Sequence, residues 1–150
     1  MATVGTLLSD DAHSKNVIAI DRNKSVHDAM ALMVEHEIGA VLITENERPV
    51  GLFTERDVLK CWATKETTKY FREVRVGDAM TANLIVVEPD DDLCYVMTIM
   101  IKNRIRHLPV VREKKIVGML SMRDVVKAQV TTLRAENHYL KEYLSGDYPG

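Results

Sequence analysis

Gly51-Leu52-Phe53-Thr54-Glu55-Arg56-Asp57 returns further along the chain as Gly118-Met119-Leu120-Ser121-Met122-Arg123-Asp124. Each copy reads as a short apolar strand running into a helix that opens at a hydroxyl residue, with an arginine and an aspartate in the first turn. The separation is 67 residues, and the same offset carries Ile18, Met30, Met33, Ile38 and Val50 onto Ile85, Met97, Met100, Ile105 and Val117. Ser25 lands on Asp92, another helix-capping type, and Val26 lands on Leu93. Caps, glycines and helical stripes that match at one gapless offset mark an internal duplication.

Outward from the first copy, Val17-Ile18-Ala19-Ile20 is a β-branched run that reads as a buried strand. Ser25 stands at an N-cap position with Asp28 three residues on. Val26, Ala29, Met30 and Met33 follow at helical spacing, so this helix buries one face. Gly39–Thr44 and Pro49–Phe53 read as two further strands around the charged turn Glu45–Arg48, with proline at a strand start, where its missing N–H is tolerated. Thr54 then opens a second helix through Val58, Leu59 and Trp62.

Each unit is therefore β-α-β-β-α, and the fold class is α/β (α+β). The chain divides into a lead (1–16), a first repeat (17–63), a Thr/Lys-rich connector (64–83), a second repeat (84–129) and a C-terminal helix and tail (130–150). Neither unit buries enough surface to stand alone, so the pair is expected to pack around a pseudo-two-fold axis. The lead has its own echo, Thr3-Val4-Gly5-Thr6-Leu7-Leu8 resembling Arg75-Val76-Gly77-Asp78-Ala79-Met80. Thr64–Glu73 reads as a solvated linker. The last helix is expected to run from Val125 to Tyr143, with Val126, Val130, Leu133, Asn137, Leu140 and Leu144 forming a heptad-like seam. That seam either packs back on its own domain or meets a second chain.

Composition narrows the function classes. Of the 150 residues 46% are hydrophobic, enough for a real core, and the net charge of -2 provides no general attraction to nucleic acid or anionic lipid. No apolar run approaches the roughly 18 residues of a membrane span, and Met1–Asp10 lacks the pattern of a secretion signal. A soluble cytoplasmic protein is expected, with no membrane or nucleic-acid partner. Cys61 and Cys94 have no metal-ligand spacing and read as free thiols in a reducing compartment. There is no nucleophile–base pair, P-loop or metal-ligand cluster, so no enzyme is expected.

Two readings of the duplicated stretch stand side by side. Thr54-x-x-Asp57 and Ser121-x-x-Asp124 both fit a capping box. They also fit a phosphate and ribose site. Helix N-termini favour anions, an arginine at that end suggests a negative partner, and an aspartate can accept from two ribose hydroxyls. Arg106-His107-Leu108-Pro109-Val110 adds a basic pair at the start of a strand, where the offset places only Gly39 and Ala40 in the first unit.

The two units resemble cystathionine-β-synthase (CBS) repeats, and the tandem resembles a Bateman module. The resemblance rests on Gly51-x-x-Thr54-x-Arg56-Asp57, Gly118-x-x-Ser121-x-Arg123-Asp124, the Arg106–Val110 strand and Met80-Thr81. It implies a non-catalytic regulatory module with two related clefts for adenosyl ligands: AMP first, then NAD(H), ADP, ATP or S-adenosylmethionine. In the first cleft, Asp57 would hold the ribose with Thr54 beside it, and Arg106, His107 and Arg123 would reach the phosphate. In the second, Asp124 and Ser121 would take the ribose roles and Arg56 the phosphate, lined by the backbone of Gly39 and Ala40. Adenine would lie near Val17-Ile18 and Leu84-Ile85, against Leu52 or Met119. The resemblance also implies a homodimer and a regulated partner protein. The competing reading is a structural homodimerisation module with vestigial clefts.

Overall fold

The structure, a computed structural model, describes residues 3–8, 17–64, 71–131 and 133. In chain order the elements are α1 (Val4–Leu8), β1 (Ala19–Asp21), α2 (Val26–Glu35), β2 (Ala40–Glu45), β3 (Arg48–Thr54), α3 (Glu55–Ala63), α4 (Val76–Ala79), α5 (Leu93–Asn103), β4 (His107–Arg112) and β5 (Lys115–Ser121), followed by helix α6 over 122–131. The duplication extends to backbone detail. Glu37, Asn46 and Glu47 have φ of 52°, 51° and 66°, and the residues 67 further on, Arg104, Glu113 and Lys114, have 55°, 50° and 65°. Two consecutive left-handed residues suit the tight hairpin turns that join β2 to β3 and β4 to β5. The β-bulge at Ile43/Thr44 likewise recurs at Val110/Val111.

The capping box expected at Ser25 forms with Asp28, and Asp92 caps α5 by accepting from the Cys94 N–H. In the first repeat β1 pairs parallel to β2, and β2 pairs antiparallel to β3. The second repeat differs. The first strand expected in the second repeat does not form at 86–88, the equivalent of β1, and the sheet there is β4 and β5 with a single parallel bridge from Val87 to Val110. The reason is one atom. In the first repeat the Leu42 N–H donates to the Ile18 carbonyl. The equivalent donor position is Pro109, which has no N–H for the Ile85 carbonyl. The ladder begins only at Val87, whose N–H donates to the Pro109 carbonyl.

The short helices exchange places between repeats. Val4 and Leu8 of α1 are buried in the core of the second repeat, with Val87, Leu93, Val96, Met100, Leu108 and Leu120. Val76 of α4 is buried in the core of the first, with Val26, Ala29, Val41, Ile43 and Phe53. The backbone contacts are reciprocal. Val4 N–H donates to Asp91 and Gly5 N–H to Pro89, while Val76 donates to Lys24 and Gly77 to Arg22. Those acceptors are again 67 residues apart, which is the expected pseudo-two-fold packing. The described end of the connector is not a solvated linker. Phe71 and Val74 pack against the first core, and their carbonyls accept from the His27 and Val26 N–H groups at the start of α2. The seam on α6 is exposed at Val126, Val130 and Leu133, so this part does not pack back on its own domain. Asn137, Leu140 and Leu144 lie outside the described residues.

Candidate functional site

Thr54 is both the last residue of β3 and the N-cap of α3, so the strand delivers the helix start directly into the space between repeats. Its hydroxyl accepts from the Asp57 N–H at 3.3 Å, and its own N–H donates to Asp57 Oδ2 at 3.0 Å. The capping reading is thus correct as far as it goes. Asp57 also does something a surface cap does not. It is only 3% exposed, and among the described residues it is the buried charged side chain. Thr81 of the connector donates its hydroxyl to Asp57 Oδ1 at 3.0 Å and lies 3.2 Å from Oδ2.

Above this carboxylate opens a cleft of about 390 Å³, a size suited to a small ligand. Both repeats and the connector line it. The first repeat contributes Leu52, Thr54, Asp57 and Lys60, the connector Thr81, and the second repeat Leu84, Ile85, Arg104, Arg106 and His107. The walls are therefore divided: apolar at Leu52, Leu84 and Ile85, acidic at Asp57, and basic around Arg104 and Arg106. Four fixed cations, Arg56, Lys60, Arg104 and Arg106, face two carboxylates, Glu55 and Asp57. Such a balance concentrates anions in the cleft.

Arg56 and Arg123 do not stand where expected. Arg56 lines the Asp57 cleft, and Arg123 is not among its lining residues. The Arg56 Nη1 donates to the Arg104 carbonyl at 2.8 Å. Arg104 is the C-cap of α5, so the cation placed against the dipole of its own helix sits at the negative end of another. This helix terminus is a negative partner of the kind its position suggested.

Gly39, expected in the other cleft, lines this one. A side chain at Gly39 would meet the His107 ring at 3.2–3.3 Å and Glu55 Oε1 at 3.1 Å, so its bareness lets the imidazole lie against the start of β2. Ala40 is buried beside it and pairs with Thr54. Burial pushes the His107 pKa below its ordinary value; Glu55 and Asp124 pull it up, and Arg106 adds to the lowering. His107 is therefore a neutral imidazole at neutral pH rather than one of the fixed cations.

Ser121 and Asp124 repeat the cap at α6, with the Ser121 hydroxyl donating to Asp124 Oδ2 at 2.6 Å. His107 pairs with Ser121 across β4 and β5, which brings it near that second acid. Val17, Ile18 and Met119 do not line the Asp57 cleft; Ile18 packs against the first core. Lys60, Arg104, Asn83 and Thr81 line it without having been singled out as site residues. Lys60 follows Arg56 by four residues and so lies on the same helix face, a signal available in the sequence. The others depend on how the repeats meet.

A second depression of about 370 Å³ lies around Lys24, Ser25, His27, Arg72 and Arg75. It is more open, and the N–H groups of Val26 and His27 beside it are already donated to carbonyls. Elsewhere, burial and then the Asp57 charge push the Cys61 thiol pKa up, which keeps it unreactive. Cys61 is buried and Cys94 exposed, and neither is in a disulfide. Among the described residues no cluster of His, Cys, Asp and Glu is arranged to hold a metal, and no helix is long and apolar enough to cross a membrane.

The architecture has counterparts among known proteins. Residues 8–63 and 76–131 each match the family model of the CBS domain. Over 129 residues the chain is 36% identical to the mitochondrial CBS domain-containing protein CBSX3 of Arabidopsis thaliana, covering 83% of this chain and 62% of that protein. It thus spans less than two thirds of that relative. The crystal structure of the CBS-domain containing protein ATU1752 from Agrobacterium tumefaciens superposes with a TM-score of 0.78 at 31% identity, covering 85% of this chain and 99% of that one. The CBS domain pair of protein MJ0100, solved in complex with 5′-methylthioadenosine and S-adenosyl-L-methionine, shares the fold with a TM-score of 0.75 at 23% identity, covering 88% and 98% of the two chains. With two domain matches falling on the two halves of its internal repeat, the chain belongs to the CBS-domain family, as a tandem pair.

Proposed function

We propose that this chain is a non-catalytic regulatory module that binds an adenine nucleotide in the Asp57 cleft. The observation that carries the reading is the division of the cleft walls: a buried carboxylate, an apolar slot and a basic rim, drawn from both repeats and the connector. Asp57 accepts from the ribose hydroxyls, adenine lies between Leu52, Leu84 and Ile85, and the phosphate meets Arg104, Arg106 and Lys60. His107 donates a hydrogen bond to the phosphate. The adenosyl ligands of the MJ0100 pair support this class of ligand. AMP is the leading candidate, followed by NAD(H), ADP and ATP.

The two clefts are expected to be unequal. Carried through the 67-residue offset, Arg104, Arg106 and His107 become Glu37, Gly39 and Ala40. The second acid, Asp124, is then matched with Arg123 and Lys127 against Glu37, without the excess of cations. A phosphorylated nucleotide therefore fills the Asp57 cleft first. Because the bound ligand touches both repeats, it biases the angle between them, provided the two arrangements differ in affinity.

A thermal melt with millimolar AMP, ADP, ATP and NADH tests the reading. Stabilisation by at least one supports it, and none at all favours a structural dimerisation module. The pH profile adds a sharper prediction. A phosphate dianion raises the depressed pKa of His107, so binding takes up a proton, and affinity rises as pH falls. The expected gain is about 3- to 10-fold between roughly pH 8 and 6.5, above the point near pH 6 where the phosphate itself gains a proton. His107→Ala flattens the profile. A profile equally steep in that variant contradicts the role given to His107.

We also propose a homodimer. Val126, Val130 and Leu133 leave an apolar stripe exposed on and just beyond α6, and Leu59 and Trp62 do so on α3. Sedimentation equilibrium distinguishes dimer from monomer. A reducing cytoplasm or organelle matrix suits two cysteines that form no disulfide.

A further inference from the structure

The connector between the repeats carries a threonine whose hydroxyl is spent on the buried acid. We infer that Thr81 is a positioning residue: it sets the ribose selectivity of the cleft by holding the Asp57 carboxylate in the orientation that receives a diol. The inference rests on the nucleotide reading above and adds to it a residue that acts through Asp57.

The geometry argues it. An ionised carboxylate has about four lone-pair sites. On Asp57, the Thr54 N–H and the Thr54 hydroxyl both bond to Oδ2, at 3.0 and 3.2 Å. Those two contacts belong to the cap of α3 and bind one oxygen only. Without a further partner the carboxylate is free to rock about its Cβ–Cγ bond. The Thr81 hydroxyl, 3.0 Å from Oδ1 and 3.2 Å from Oδ2, bridges both oxygens and fixes that torsion. Thr81 is itself held. Its N–H donates to the Leu52 carbonyl at 2.8 Å and its carbonyl accepts from the Leu52 N–H at 3.0 Å. The connector is thus laced to the edge of β3 beside the residue that caps α3. The +72 relation that carries Val4 onto Val76 also carries Ser9 onto Thr81, so the sequence keeps a hydroxyl at both places; Ser9 lies outside the described residues.

Orientation matters most for a ligand with two adjacent hydroxyls: once the Thr54 hydroxyl proton turns from Oδ2 to the ligand, the Thr54 N–H and the Thr81 hydroxyl leave two lone pairs, and each ribose hydroxyl must meet its own. A ligand with one hydroxyl tolerates a rotated carboxylate. AMP and 2′-deoxyAMP separate these cases. In calorimetric titrations the wild-type protein is expected to prefer AMP by about 10-fold or more, the value of one charge-assisted hydrogen bond. Thr81→Val removes the donor at nearly constant shape. It is expected to reduce the preference to within about 3-fold, chiefly by weakening AMP, while 2′-deoxyAMP changes by no more than about 2-fold. Thr81→Ser restores the wild-type ratio, and melting curves verify that each variant is folded.

Three results overturn parts of this separately. A wild-type protein that binds neither nucleotide, or binds both equally, removes the ribose role of Asp57 and the inference with it. A Thr81→Val variant that keeps the full AMP preference shows Thr81 to be structural only, and leaves the nucleotide reading intact. Equal weakening of both nucleotides makes Thr81 a direct ligand contact rather than a positioning residue.

Discussion

Asp57→Asn is expected to lower affinity for AMP about 100-fold while leaving the domain folded. The loss follows from the chemistry of the replaced group. A carboxylate accepts both ribose hydroxyls as charge-assisted bonds, each contributing roughly 1.5–3 kcal/mol when well placed. The amide offers one acceptor oxygen and turns a donor toward the other hydroxyl. A net loss of about 3 kcal/mol corresponds to the stated factor at 1.4 kcal/mol per decade. The fold survives because the asparagine oxygen still accepts from the Thr54 N–H, which now meets Asp57 Oδ2 at 3.0 Å. A partial loss of the capping box costs about 1 kcal/mol. Calorimetry with AMP and a thermal melt separate the two effects. If Asp124→Asn loses the tight site and Asp57→Asn keeps it, the assignment of the clefts is wrong.

Gly51→Ala is expected to destabilise the protein by about 3 kcal/mol and to remove nucleotide binding as well. A Cβ at Gly51 would stand 2.6 Å from Met80 Sδ and 2.7 Å from the Thr81 carbonyl oxygen. The methionine can swing aside. The carbonyl cannot, because it accepts from Leu52 in the bridge that holds the connector to β3. Overpacking of this kind costs roughly 1–3 kcal/mol, and loss of the bridge adds to it. At about 2–4 °C per kcal/mol for a chain of this length, the melting temperature falls by roughly 6–12 °C. Thr81 is displaced together with its bond to Asp57, so the effect reaches the cleft. A melting temperature within 2 °C of wild type would contradict this account of the glycine.

Most of the repeat architecture was legible in the sequence because it is local. Helix caps, tight turns and apolar stripes are written within a few residues of where they act, and the offset made each half a check on the other. Ser25 with Asp28 and Thr54 with Asp57 form the expected boxes. What escaped depends on contacts between distant segments. The missing first strand of the second repeat follows from a proline at 109, whose consequence appears only when the register assigns Ile85 as the partner left without a donor. The exchanged helices α1 and α4 are similar in sequence, yet nothing local says that each docks on the other repeat.

At the site, the acid and the basic strand were legible, and the partition of the arginines was not. The resemblance gave Arg56 a phosphate role in the second cleft, and its place in a first helical turn suggested a negative partner. The carbonyl of Arg104, 48 residues away, explains it. His107 was counted with Arg106 as a basic pair, but burial lowers its pKa. Thr81 entered only as part of a motif, since its bond to Asp57 spans 24 residues and requires the connector to fold back.

Backbone and side-chain chemical-shift mapping, with AMP added to isotopically labelled protein, reports whether an adenine nucleotide occupies the cleft above Asp57. The expected shifts centre on Thr54, Asp57, Thr81, Leu84, Arg104, Arg106 and His107, and Ser121 and Asp124 respond only at higher ligand concentration. Saturable shifts centred on Asp124, or confined to residues away from both acids, would contradict that occupancy.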